Sequence, residues 1–185
     1  MMPTTRFLKT AVVTFLVVFL VGAAQRVGCW SARKGGRTKG QVTYVYDGDT
    51  VEVSGSGKVR LLGVDALDIH NRDKVQSQAR HLGMEPGEVI EWGRMAEEFV
   101  RDEMLNRDVR LEFGPERRGD YGRLLAYMYK RDRDQSVSVN QKLLRKGLAT
   151  AYRSFDHPKK QEFIDTEKKA RRQERGLWKQ ATSTY

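Results

Sequence analysis

Apolar and polar residues alternate in short runs from about residue 42 to residue 64, and helical spacing follows. Val42 to Tyr46, Val51 to Val53 and Lys58 to Val64 read as strands, separated by Asp47-Gly48 and by Ser54-Gly55-Ser56-Gly57, residue types that favour chain reversal. Three consecutive antiparallel strands are predicted. A short helix is expected from Lys74 to Leu82, ending at Gly83, and a stronger one after Pro86. There Trp92, Met95, Ala96, Phe99 and Val100 fall at i, i+3, i+4, i+7 and i+8, a single face suited to packing on a sheet. Val109, Leu111 and Phe113 alternate with Arg110 and Glu112 to give a fourth strand, and Leu124 to Tyr129 a fifth. Val139 to Lys146 and Pro158 to Arg175 read as helices ended by Gly147 and Gly176. The order suggests an α+β fold: a five-stranded OB-type β-barrel with about three helices packed on it.

The 185 residues contain no internal repeat and no second apolar core, so one globular domain is expected over residues 41–180. A different pattern precedes it. Arg6 and Lys9 are followed by an uncharged, mostly apolar run from Ala11 to Ala24, shorter than the roughly 20 residues needed to span a bilayer. This predicts a signal peptide over residues 1–24 and an exported protein, in contact with a membrane only if the segment stays uncleaved. Residues 25–40, with Gly mixed among Lys and Arg, are expected to be a flexible basic linker. The lone Cys29 excludes an intramolecular disulfide.

Charge narrows the partner. The 34 Lys and Arg against 24 Asp and Glu give +10. Cleavage after residue 24 would remove two basic residues and no acidic one, leaving 32 minus 24, or +8. Such a balance suits a polyanion, although a basic surface also serves solubility alone.

Candidate chemistry lies in three short segments: Asp47-Gly48-Asp49-Thr50, Arg60-Leu61-Leu62-Gly63-Val64-Asp65 and Asp120-Tyr121-Gly122-Arg123. Aspartate oxygens suit a hard cation such as Ca²⁺, and a planar guanidinium donates two parallel hydrogen bonds to a phosphate. Taken alone, Asp-Gly-Asp is more often a hairpin turn, and an arginine beside strands a surface ion pair. Their coincidence in one short chain argues otherwise. Zinc fits the sequence poorly, because His70, His81 and His157 lack ligand spacing and the lone cysteine cannot build a thiolate site.

With these segments the chain resembles the staphylococcal nuclease (thermonuclease) family from about Gln41 to Trp178. The resemblance implies the same barrel fold and a Ca²⁺-dependent nuclease that cuts DNA and RNA with little sequence preference and leaves 3′-phosphate ends. It implies Asp49, Asp65 and the backbone carbonyl of Ala66 as metal ligands, and Arg60 and Arg123 as groups that stabilise charge on the phosphate. Asp68 stands where the family has a glutamate that activates water, and Val64-Asp65-Ala66-Leu67-Asp68 departs in three places from the commoner Val-Asp-Thr-Pro-Glu. Tyr121 and Tyr152 are candidates for the substrate surface; for Tyr152, packing is an equal alternative. Asp47 is a turn residue or the holder of a metal-bound water.

A monomer acting on single-stranded nucleic acid, with no stable protein partner, is the expectation. Two other functions stay open: an OB-type nucleic-acid or protein binding module that has lost hydrolysis, and a membrane-tethered protein whose basic last helix meets anionic lipid. Lys159, Lys160, Lys168, Lys169, Arg171, Arg172 and Arg175 supply that helix's charge.

Overall fold

Val42, Val45, Val51, Val53 and Val59 point their side chains inward from strands that turn back on one another, which is why the first half of the domain curls into a barrel. The computed structural model of the chain describes residues 36–131 and 138–179. The expected signal peptide and most of the expected linker lie outside them. Strand β1 (Arg37–Asp47) pairs antiparallel with β2 (Thr50–Val53), and β2 with β3 (Gly57–Leu61). Strand β5 (Asp108–Arg118) pairs antiparallel with β6 (Leu124–Lys130), and β6 runs parallel to β3. The ring β1-β2-β3-β6-β5 closes because β5 pairs back onto β1.

That last pairing corrects the expected linker boundary. Arg37 to Gly40 are not linker: they extend β1 and pair with Glu112 to Val109 of β5. Their polar composition hid a strand whose partner lies some seventy residues away.

The third predicted strand is also divided. Gly63 takes φ +79, and the chain leaves the barrel there to form β4 (Val64–Ala66), which pairs with a strand absent from the sequence prediction, β7 (Ala149–Ala151). A Cβ on Gly63 would stand 2.4 Å from His157 Cε1, so both the dihedral angle and the close approach call for glycine.

Four α-helices, rather than about three, occur among the described residues. They are α1 (Arg72–Leu82), α2 (Pro86–Met104), α3 (Val139–Lys146) and α4 (Lys160–Arg172). Helix α1 starts two residues before the expected Lys74, capped by Asn71, whose side chain accepts from Lys74 N, and it ends at Gly83 in the left-handed region as predicted. Helix α2 buries Val89, Gly93, Ala96, Val100 and Met104. Met95, placed on that face by its spacing, is exposed instead, because small Gly93 and Ala96 let the backbone approach its neighbours more closely than a large apolar stripe would. Helix α3 ends at Gly147 as predicted, whereas α4 stops at Arg172, four residues short of Gly176.

Buried Asn140 of α3 ties the layers together. Its side chain accepts from Met128 N at 3.0 Å and donates to Leu62 O at 2.8 Å. It thereby satisfies backbone groups on β6 and at the end of β3 that no strand partner reaches.

Candidate active site

Six chain segments converge on one cleft of about 490 Å³. Asp49 comes from the β1–β2 turn, Arg60 from β3, Asp65 from β4, Asp68 from the loop before α1, Tyr121 and Arg123 from the β5–β6 connection, and Tyr152 from the residue after β7. All line the cleft, with Asp47 and Lys74. Every predicted site side chain is therefore brought to one place. Ala66 is not among the lining residues; its observed contact is an N–H donated to Asp49 Oδ2 at 2.7 Å.

The β1–β2 turn differs from the mirror-image hairpin that Asp-Gly favours. Neither Gly48 nor Asp49 has positive φ. Gly48 is required for space: a Cβ there would lie 2.6 Å from Ala96 Cβ and 2.8 Å from Ala66 Cβ. The turn is pressed between α2 and β4, and Asp49 is carried into the interior with it. Asp47 Oδ1 accepts from Asp49 N at 2.9 Å, the turn role foreseen as one of its two options.

Asp49 is 5% exposed and fully engaged. Oδ1 accepts from Thr50 Oγ1 at 3.0 Å, and Oδ2 accepts from Ala66 N and pairs with Arg60 Nη1. Burial pushes the Asp49 carboxyl up to about 6; Arg60 draws it back and nearby Asp47 adds to the rise. The other nitrogen of Arg60, Nη2, lies 2.8 Å from Asp65 Oδ1. Burial disfavours the Arg60 cation, yet Asp49, Asp65 and Asp47 outweigh that and hold its pKa above the ordinary arginine range. One guanidinium thus bridges the two aspartates proposed as metal ligands, rather than standing open toward a phosphate.

Asp65 and Asp68 are further joined by two residues of α1 that sequence reasoning missed. Lys74 Nζ lies 3.6 Å from Asp65 Oδ1 and 3.5 Å from Asp68 Oδ2. Gln78 accepts from Asp68 N at 2.9 Å, and its amide nitrogen is 3.4 Å from Asp65 Oδ2. Their spacing of four places both on one helical face, but among 34 basic residues nothing marked Lys74 out.

Asp68 Oδ1 accepts from His70 N at 2.8 Å and from Asn71 N at 2.7 Å. Partial burial raises its pKa, and those two N–H groups with Lys74 more than reverse the rise, so the carboxyl sits below the ordinary value. It is ionised at neutral pH and fixed in direction. The shorter acid is fitted to its loop.

Arg123 differs from Arg60. Its Nε is buried and has no hydrogen-bond partner, and its guanidinium carbon lies 5.8 Å from the centroid of the Tyr121 ring. Tyr121 is 93% exposed and sits at φ +64, a conformation uncommon for a bulky side chain. Tyr152 is half-exposed beside Phe155, its N–H donating to Gly63 O at 3.0 Å. The segment is braced from beneath by Glu167, fully buried on α4, which accepts from Ala151 N at 2.8 Å and pairs with Arg153 and Arg171.

Three basic residues of α4, and Lys159 just before it, are engaged within the protein. Lys160 pairs with Asp156, Lys168 with Asp165 and Arg171 with Glu167, while Lys159 donates to Tyr129 Oη at 2.5 Å. His157 is a packing residue: Nδ1 meets Tyr127 Oη at 2.8 Å, and burial with Lys160 nearby lowers its pKa to about 4. His70 and His81 are exposed.

No group of three or more His, Cys, Asp or Glu residues arranged for a metal ion occurs among the described residues. The donor chemistry nonetheless suits a hard cation: all the acidic groups nearest Arg60 are aspartates, and two of them already converge on one positive charge.

A family model described as staphylococcal nuclease homologue matches residues 58–180. An uncharacterised protein of Methanocaldococcus jannaschii is 35% identical over 147 residues, covering 75% of this chain and 70% of its own. A thermonuclease of Staphylococcus hyicus is 29% identical, covering 75% and 74%. An uncharacterised endonuclease of Escherichia coli O157:H7 is 29% identical, covering 77% and 78%.

Proposed function

The chain belongs to the staphylococcal nuclease family, and from that premise we propose that it is an exported nuclease hydrolysing phosphodiester bonds of DNA and RNA. One observation carries the reading. Asp49, Arg60, Asp65, Asp68 and Arg123, drawn from five separate segments, line a single cleft, and Arg123 keeps a buried, unpartnered N–H there.

Each residue has a task. Arg123 donates to the phosphate, where fixed guanidinium hydrogen bonds gain strength as charge grows on the phosphoryl oxygens. Arg60 does the same once the phosphate competes it away from its aspartates. Asp68, held by two loop N–H groups, accepts a hydrogen bond from the attacking water and orients it; its low pKa makes position, more than basicity, its contribution. Tyr121 and Tyr152 offer aromatic faces to unpaired bases, which favours single strands and gives little sequence preference. Asp49, Asp65 and the Ala66 carbonyl are the groups that would hold Ca²⁺. When bound, the ion polarises the scissile phosphate.

The test is to incubate the full chain with single-stranded DNA in Ca²⁺ or in chelator and analyse the ends. Calcium-dependent fragments carrying 3′-phosphate are expected. Absence of cleavage, cleavage that ignores chelator, or 5′-phosphate ends would overturn the proposal.

A further inference from the structure

A second hollow, of about 430 Å³, adjoins the cleft and shares Asp47, Tyr121 and Arg123 with it; Tyr46, Thr50, Lys58 and His70 complete its lining. The volume falls within the range of small-ligand sites, on the order of 300–1,000 Å³. Of the four residues that belong to it alone, Thr50 and His70 support Asp49 and Asp68 through hydrogen bonds, whereas Tyr46 and Lys58 have no part in the hydrolysis described above.

Its chemistry combines flat rings with cations. Lys58 Nζ lies 3.7 Å from the centroid of the Tyr46 ring, and Tyr44 meets that ring edge-on at 4.9 Å. Tyr44 is 54% exposed, and Tyr46 is held by a hydrogen bond from its hydroxyl to Glu52 Oε2 at 3.1 Å. Tyr121 borders both hollows, held in the left-handed region with its ring in solvent, so its strain is not repaid by packing. Arg123 reaches both as well.

A ligand that satisfies this surface needs a planar ring to stack on Tyr46 and an anion for Lys58, joined through a group lying at Arg123. One unit of a polynucleotide has that form. We propose that this hollow is a subsite for the nucleotide adjacent to the scissile phosphate on the same strand, with its outer phosphate drawing Lys58 off the Tyr46 ring that it now covers and its base taking the place of the ammonium on that ring. The inference rests on the nuclease reading, because Arg123 is taken to hold the phosphate between the two hollows. It also supplies a reason for single-strand preference: a base stacked on Tyr46 has left its own helix.

The test measures binding of the full chain, in chelator, to a fluorescently labelled thymidine octanucleotide by anisotropy, with displacement by thymidine 5′-monophosphate, which fills one hollow only. Tyr46→Leu and, separately, Lys58→Ala should each reduce the octanucleotide-to-mononucleotide affinity ratio, Tyr46→Leu by about tenfold, the scale of one lost base–aromatic stack. Lys58 is exposed on β3, so its variant stays informative if Tyr46→Leu fails to fold. An unchanged ratio in Lys58→Ala and in any folded Tyr46→Leu overturns the subsite. So does an equal loss by Tyr46→Leu on a duplex of the same length, since paired bases cannot stack there. If wild type shows the Tyr46-dependent ratio yet never cuts DNA in Ca²⁺, hydrolysis fails and the subsite stands. If wild type cuts DNA and neither variant alters the ratio, hydrolysis stands and the subsite fails.

Discussion

Replacing Arg60 by methionine isolates the electrostatics on which the site is built. The substitution keeps an unbranched side chain of similar reach and deletes the charge that joins Asp49 to Asp65. An Asp49 carboxyl near 6 against 3.8 as its ordinary value already means that ionisation costs the folded protein about 3 kcal/mol, even with Arg60 present. Without the guanidinium the folded pKa rises further. The sign follows from linkage: a carboxyl whose folded pKa exceeds its unfolded one leaves stability intact below the unfolded value, and the loss is complete above the folded value. Breaking a buried ion pair costs about 3–5 kcal/mol when the partner stays charged. Asp49 can take up a proton instead, and with a wild-type value already near 6 the added cost at pH 7.5 is capped at about 2 kcal/mol, so Arg60→Met should lose about 1 kcal/mol at pH 4, from packing alone, and about 3 kcal/mol at pH 7.5. Urea unfolding of both proteins in chelator at the two pH values gives the difference directly. Adding Asp49→Asn to Arg60→Met should recover most of the loss at pH 7.5 and little at pH 4. An equal loss at both pH values would refute the charge argument and leave only packing.

Arg123→Ala should lower kcat by at least about a hundredfold, as loss of one charge-stabilising donor does elsewhere, with an unaltered melting temperature; near-normal turnover would remove Arg123 from the reaction. Asp68→Asn retains an oxygen for His70 N and Asn71 N but no charge, so kcat should fall about a hundredfold or more with the fold preserved, and an active variant would contradict the assigned role. Asp68→Glu should instead lose stability by about 1–3 kcal/mol, measured by denaturant unfolding, because the longer arm abandons both loop N–H groups. Gly48→Ala should cost about 1–3 kcal/mol through contact with Ala96 and Ala66, and a melting temperature equal to wild type would show that the turn has room.

The strands of the barrel were legible because alternation survives wherever one face is buried: Val109, Leu111 and Phe113 are inside, Arg110 and Glu112 are not. The site was legible because its aspartates and arginines fall in short local motifs. What escaped the sequence depended on distant partners. Arg37 to Gly40 become strand through β5, and Ala149 to Ala151 through β4, neither of which carries a hydrophobic signal of its own. Met95 failed because side-chain spacing cannot reveal that α2 presses its small residues inward. Lys74, Gln78, Asn140 and Glu167 are ordinary residues until the fold places a carboxylate or a backbone group beside them.

The charge arrangement connects cation and substrate in the proposed reaction. With Arg60 between Asp49 and Asp65, one guanidinium is shared by a buried carboxylate and a half-buried one, so that one negative charge stays in excess. A phosphate drawing Arg60 toward itself strips that compensation, and the cost of leaving carboxylates unpaired in a buried site opposes its binding. If the same aspartates held a divalent cation, that penalty would be removed, and each ligand would strengthen the other by the same factor, as reciprocity of coupled equilibria requires. Lys74 and Gln78 hold Asp65 only partially, through longer contacts of 3.6 and 3.4 Å, which leaves that carboxylate the easier of the two to recruit. Asp49, enclosed and with both oxygens committed, would be the fixed point around which such an exchange took place.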